Sequence, residues 1–232
     1  MDFHTPLIRA TLLRRYKRFL ADVKLEDGRE VTAHVANPGS MLGMKEEGMV
    51  VWLEPNDDPK KKLKYGWRLV EHSGGHFTGV DTSVPNRALK AALMAGEVPG
   101  LQYPQLRPEV KYGENSRIDF LLSDGAARAF VEVKSVTLCR QPGLAEFPDS
   151  VTARGLKHLG ELGVVAVGGD RAVMLYLVQR TDCERVGIAG DIGPAYAAGL
   201  VRARAAGVEV MAFDCRISPQ EIELGRPLPF IT

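Results

Sequence analysis

Hydrophobic and polar positions alternate in short runs over the first 80 or so residues. Residues 7–13 read as a strand. Residues 19–25 (FLADVKL) alternate, Asp27-Gly28 follows, and Glu30–His34 (EVTAH) alternates again. Period-two alternation puts one set of side chains on a core face. A D-G pair between two such runs marks a hairpin, because its turn needs positive φ. Residues 48–54 (GMVVWLE) and 65–72 (YGWRLVEH) predict two more strands, separated by the polar stretch PNDDPKKKLK at 55–64. Five short strands in so few residues suit a small closed barrel of the OB type.

The texture changes at residue 84. VPNRALKAALMAG (84–96) predicts a helix ending in glycine. Residues 99–108 hold three prolines and read as a linker. Three segments of strand character follow, RPEVKYG, SRIDFLLSDG and ARAFVEVKSV, with Asp124-Gly125 as a second hairpin signal. Residues 149–163 predict a helix, and 172–180 (AVMLYLVQR) a buried central strand. Residues 193–207 predict another helix and 208–217 a last strand. Helix, three strands, helix, strand, helix, strand describes a mixed α/β sheet.

Composition narrows the class without naming a function. The chain is 45% hydrophobic and 25% charged, with a net charge of +1, so polyanion binding must come from local patches. The three cysteines, Cys139, Cys183 and Cys215, form no C-x-x-C pair. That argues against a disulfide framework and fits a reducing compartment. No apolar run approaches the ~20 residues of a membrane span. The N-terminal segment has arginines through its apolar part and no signal-peptide pattern, so a cytoplasmic protein is expected, with no membrane partner.

The chemistry concentrates in FVEVKS (130–135). On a strand, Glu132 and Lys134 share one face and Val131 and Val133 the other. The preceding strand carries Asp119 between Ile118 and Phe120. A hairpin joining the two strands brings Asp119 beside Glu132. Two neighbouring carboxylates repel, and burial penalises both. A hard divalent cation, Mg²⁺ or Mn²⁺, resolves both problems, with the backbone carbonyl of Val133 as a further oxygen ligand. Lys134 then faces the same site, where it can orient a water or neutralise phosphate charge. By itself an E-x-K strand equally describes an exposed, salt-bridged face.

Asp119, followed thirteen residues later by Glu132-x-Lys134, resembles the core of the PD-(D/E)XK nuclease superfamily, with Ile118 where that name has Pro. RRYKRFLADV (14–23), HVANPGSM (34–41), VDTSVPNR (80–87), EVKYG (109–113), SRIDFLL (116–122), EVKSVTL (132–138) and FPDSVTARGLKHLGEL (147–162) together resemble the sugar fermentation stimulation protein A (SfsA) family. The resemblance implies an OB-like barrel, taken as residues 1–82, and a PD-(D/E)XK nuclease-like mixed-sheet α/β domain, taken as 83–232. It also implies DNA binding with little sequence preference and a regulatory link to maltose metabolism. A metal-dependent phosphodiesterase and a non-catalytic DNA-binding regulator on the same scaffold are the two functional expectations. RNA is a third, because OB-folds bind single strands of both.

RRYKRF (14–19) sets Arg14, Arg15, Lys17 and Arg18 around Tyr16 and Phe19, which suits phosphates and stacked bases. KKKLK (60–64) is a weaker patch, partly offset by Asp57 and Asp58. HVANPGSM reads either as a phosphate-binding loop or as a tight turn. On the helix at 149–163, Arg154, Lys157, His158 and Glu161 share a polar stripe opposite Leu156, Leu159 and Gly163. Arg154 and Lys157 are candidate phosphate ligands, whereas His158 reads as a surface residue. Glu97 and Glu109 are further candidate carboxylates.

Overall fold

In the computed structural model, which describes residues 2–231, the alternating region closes into a barrel. Its strands are β1 (Ile8–Tyr16), β2 (Leu20–Leu25), β3 (Glu30–Val35), β4 (Val50–Pro55) and β5 (Tyr65–His72). They pair in the order β3-β2-β1-β4-β5, and a parallel β3–β5 contact closes the ring. Leu12, Val23, Val35, Val51, Leu53 and Trp67 fill the interior and are fully buried. Gly28 takes the left-handed conformation that the β2–β3 turn requires, at φ 86°. β1 extends past the expected end to Tyr16, because the turn is only the three residues Lys17–Phe19, with Lys17 and Arg18 at φ 46° and 65°. A sixth strand, β6 (His76–Gly79), folds back on β5 through Gly74-Gly75 and was not expected.

From Val84 the order is α1 (Val84–Met94), β7 (Gln105–Tyr112), β8 (Ser116–Asp124), β9 (Ala127–Val136), β10 (Leu138–Gln141) and β11 (Gly143–Phe147). Then come α2 (Ala153–Val167), β12 (Arg171–Val178), β13 (Cys183–Ile188), α3 (Pro194–Ala205), β14 (Glu209–Ile217) and β15 (Ile222–Pro227). The main sheet runs β15-β14-β12-β9-β8-β7, with β9, β12 and β14 parallel. α1 packs on one face through Leu89 and Leu93. α2 and α3 cover the other through Leu159, Leu162, Tyr196 and Leu200. β12 is buried from Ala172 to Val178, as its apolar run predicts.

Three expectations need correction. The proline-rich stretch at 99–108 is not all linker: Gln105–Pro108 belongs to β7, an edge strand, where a missing N–H is tolerated. α2 begins at Ala153 instead of 149, because the Thr152 hydroxyl caps it by accepting from the Gly155 N–H at 3.0 Å. β10, β11, β13 and β15 went unseen. The first three form a separate small sheet, and β15 edges the main one.

The two parts share a core. Leu7 and Leu69 pack in the same apolar cluster as α1 and β9. β6 joins the α/β part through the Gly79 N–H to the Gln179 carbonyl, at 2.9 Å. Arg68 bridges Glu54 of β4 and Asp81 at 2.7 Å each, fixing the segment that enters α1. Among the described residues, no helix is long and apolar enough to cross a membrane.

Candidate functional site

The site forms where two strands part. β8 and β9 pair regularly from Asp124↔Ala127 to Phe120↔Val131. Beyond that register the Val133 N–H donates to Asp119 Oδ2 at 2.7 Å. A carboxylate thus takes a backbone donor freed by the splayed ladder. The other Asp119 oxygen accepts from Asn86 Nδ2 of α1, also at 2.7 Å. On β7, the register gap opposite Asp119 falls at Glu109, whose φ is 53°.

Glu132 sits on the α2 side of the sheet and is 2% exposed. Its Oε1 accepts from Lys134 Nζ at 2.7 Å and from His158 Nδ1 in a very short contact. Arg154 Nε lies 3.4 Å from His158 Nε2. The two contacts are satisfied together when the proton sits on Nδ1 and Nε2 accepts. His158 is therefore a buried member of the site, and reading it as a surface residue is wrong. Its exposure is 4%, because the buried face of α2 is Gly155, His158, Leu159, Leu162 and Gly163, so His158 lies with Leu159 and Gly163 and not opposite them.

These surroundings pull the two carboxyl groups apart. Burial, followed by the nearby Glu132 charge, pushes Asp119 up to about 6, despite its two hydrogen bonds. Burial also opposes ionisation of Glu132. The His158 hydrogen bond and the Lys134 ammonium outweigh it and hold Glu132 below the usual carboxylate range. Glu132 Oε2 is buried without any hydrogen-bond partner. The Tyr112 hydroxyl and both Glu161 oxygens are likewise unpartnered. Burial and the charges of Glu132, Glu161 and Asp119 raise the Tyr112 phenol.

A cleft of about 380 Å³ opens beside Lys134 and Ser135. One wall is Phe147–Thr152, and the other is Asn37–Gly39 from the barrel. Of the two readings of HVANPGSM, the tight turn describes its geometry. The Gly39 N–H is taken by Asn37 Oδ1 at 2.8 Å, so it is not free for phosphate. Ser40 Oγ donates to the Asp149 carbonyl at 2.8 Å. Glycine is needed at 39 because a Cβ would lie 2.6 Å from Asp149 Oδ2.

The other candidate residues are scattered. Arg14 pairs with Asp22 at 2.8 Å. The Arg15 guanidinium donates to the carbonyls of Arg18, Asn37 and Gly39 at 2.7, 2.9 and 3.2 Å, bracing the turn. Lys17 and Arg18 project from the β1–β2 turn. Lys157 turns towards the β7–β8 connection, donating to the Glu114 carbonyl at 2.5 Å and lying 3.6 Å from Glu161. Only Arg154 of these six approaches the carboxylates. Glu97 and Glu109 are exposed. Among the described residues, no three His, Cys, Asp or Glu side chains converge as a ready-made metal set.

A closed five-stranded barrel joined to a mixed-sheet α/β domain, with Asp119 and Glu132 on adjacent strands of its sheet and a cleft beside Lys134 walled by both parts, defines a two-domain protein with an OB-type N-terminal part. Residues 13–80 match the family model "SfsA N-terminal OB domain", and residues 83–221 match "Sugar fermentation stimulation protein RE domain". The chain belongs to the SfsA family of sugar fermentation stimulation proteins. A sugar fermentation stimulation protein homolog of Ruegeria sp. (strain TM1040) is 68% identical over 99% of this chain and 100% of its own. The homolog of Brucella ovis is 51% identical over 99% and 97%. A solved structure of Pyrococcus furiosus SfsA in complex with Ca²⁺ superposes with a TM-score of 0.88 at 26% identity, covering 100% of this chain and 98% of that one.

Proposed function

We propose that this chain is a divalent-metal-dependent phosphodiesterase acting on DNA with little sequence preference. The observation that carries the reading is Glu132 Oε2, buried and unpartnered beside Asp119. A buried carboxylate oxygen without a donor is costly, and a cation removes the cost. The order α1-β7-β8-β9-α2-β12, interrupted by β10 and β11 between β9 and α2 and with the two carboxylates on β8 and β9, supports a nuclease-like C-terminal domain. The Pyrococcus furiosus relative was solved with Ca²⁺, a hard cation that takes oxygen ligands as Mg²⁺ and Mn²⁺ do.

Asp119, Glu132 and the Val133 carbonyl would hold the cation, with waters completing its shell, since two carboxylates alone are too few. Bound there, it would supply Lewis-acid stabilisation of the phosphate and a more acidic water. Lys134 lines the cleft, and its ammonium would stabilise charge gained by the attacked phosphate. His158 holds the Glu132 carboxylate in one orientation, and Asn86 does the same for Asp119. Arg154, exposed on α2 beside His158, would meet a phosphate oxygen.

A DNA-binding regulator of sugar metabolism without cleavage is the second reading. It is favoured by the Lys134–Glu132–His158 network, which neutralises Glu132 with no metal. Calorimetric Mn²⁺ titration of the wild type and of Glu132→Ala separates the two. The phosphodiesterase reading expects binding lost in the variant, and Mn²⁺-dependent cleavage of single-stranded, duplex or branched DNA lost in Lys134→Ala. Equal Mn²⁺ affinity in both proteins sinks the metal site. No cleavage above the Lys134→Ala control leaves the regulator.

A further inference from the structure

A groove outside the carboxylate site lies on the barrel and measures about 620 Å³, a size that accepts a nucleotide. Its walls are β3, β5 and the loop joining β4 to β5, with His34, Tyr65, Lys61 and Lys62 among the lining groups. Phe19, 44% exposed, stacks on His34 with ring centroids 6.5 Å apart and planes 16° apart. An exposed aromatic stacked on an exposed imidazole makes a flat apolar ledge in water. The residue paired with His34 across the barrel seam is Gly66, against which the Arg68 guanidinium lies, so that side of the ledge is bordered by a cation already held by Glu54 and Asp81.

Charge frames the ledge on both sides. The loop at 56–64 is ordered by its own contacts: the Asn56 N–H donates to the Lys64 carbonyl at 2.8 Å, and Lys64 Nζ donates to the Asp58 carbonyl at 3.0 Å. Lys61 and Lys62 line the groove, and among the described residues their ammonium groups make no ion pair or hydrogen bond. Glu54 also lines the groove, but its charge is met by Arg68 at 2.7 Å, and it accepts the His4 N–H at 2.7 Å. Asp57 is the remaining acid of the lining. On the other side, the β1–β2 turn carries exposed Lys17 and Arg18 next to Phe19.

We propose that Phe19, His34 and Tyr65, flanked by Lys61 and Lys62, form a subsite for unpaired nucleotides of single-stranded DNA, apart from the carboxylate site. Bases stack on the Phe19–His34 ledge, and the lysines meet the adjoining phosphates. Paired bases have their faces buried in the helical stack, so a stacking ledge selects unpaired strands. The turn and the loop that frame it are those through which OB barrels hold oligonucleotides. This inference rests on the nucleic-acid reading above and adds the strand state and the place of binding.

The test is fluorescence anisotropy with a labelled dT 12-mer and a duplex of the same length, in EDTA so that nothing is cut. Phe19→Ala and His34→Ala, both at exposed positions, should each weaken dT binding on the order of tenfold, with the salt slope unchanged. Lys61→Glu combined with Lys62→Glu should lower the log–log salt slope by about 0.7 per lost phosphate contact. Mn²⁺ binding should stay as in the wild type in all three variants, and duplex affinity should stay so in Phe19→Ala and His34→Ala. Wild-type affinity for dT in all three variants overturns the subsite. Duplex binding without any dT binding also overturns it, and leaves the phosphodiesterase reading standing. Mn²⁺ calorimetry and cleavage on the same variants report failure of that reading separately.

Discussion

Replacing Lys134 with methionine isolates the buried charge at the centre of the site. The Lys134 side chain is 13% exposed and that of Glu132 is 3% exposed, at an N–O distance of 2.7 Å. Removing the ammonium leaves a carboxylate with one unpartnered oxygen and His158 as its single remaining donor. Breaking a buried pair on one side costs about 3 kcal/mol or more, because the stranded charge keeps its full desolvation penalty. For a chain of this length that corresponds to a fall in Tm of about 6–12 °C. Differential scanning fluorimetry measures it. Lys134→Met combined with Glu132→Gln removes both charges and should recover most of the loss. Added Mn²⁺ should raise the Tm of Lys134→Met more than that of the wild type, since a cation then replaces the missing ammonium. A Tm within about 2 °C of the wild type, or a double variant as unstable as the single, would refute the view that this ammonium compensates Glu132.

The Asp119 carboxyl should titrate at about 6 in ¹³C NMR spectra. Its pKa is raised in the folded state. Its stabilising contribution is therefore greatest below the unfolded value near 3.8 and is lost as pH rises towards 6, a change of about 3 kcal/mol. Mg²⁺ competes with that proton, so its affinity should rise between pH 5 and 7.5, and a flat profile would remove Asp119 from the ligand set. Gly39→Ala should cost about 1–2 kcal/mol in urea denaturation, because its Cβ would crowd Asp149 Oδ2. An unchanged midpoint would mean that the loop yields freely.

The parts of this fold that were legible in sequence are those governed by local physics. Alternation and the Asp27-Gly28 and Asp124-Gly125 turns located the barrel hairpin and the β8–β9 hairpin, because strand pleat and turn φ depend on a few adjacent residues. The unseen strands β10, β11, β13 and β15 are four to six residues long and owe their order to pairing with neighbours. β11, for example, pairs in parallel with β13 across the whole of α2 and β12. Such runs carry too little periodicity to stand out.

The candidate site divides along the same line. Asp119, Glu132 and Lys134 stood out because an ionisable residue on an apolar strand is costly anywhere. His158 was missed because the helical period groups it with Arg154, Lys157 and Glu161 but cannot say which edge of that stripe meets the sheet. The docking of α2 on β9 decides it, burying His158 and leaving Lys157 half-exposed at the β7–β8 connection. Arg15 shows the reverse case. Its basic cluster suggested phosphate binding, and the close approach of two loops turned it into a brace of three carbonyls. By itself the sequence determined the strands, the turns, the two textures and the awkward charges, all consequences of residue chemistry over a few positions. Only the tertiary structure decided which charges meet and which are spent on the scaffold, because those distances come from long-range packing that no local pattern encodes.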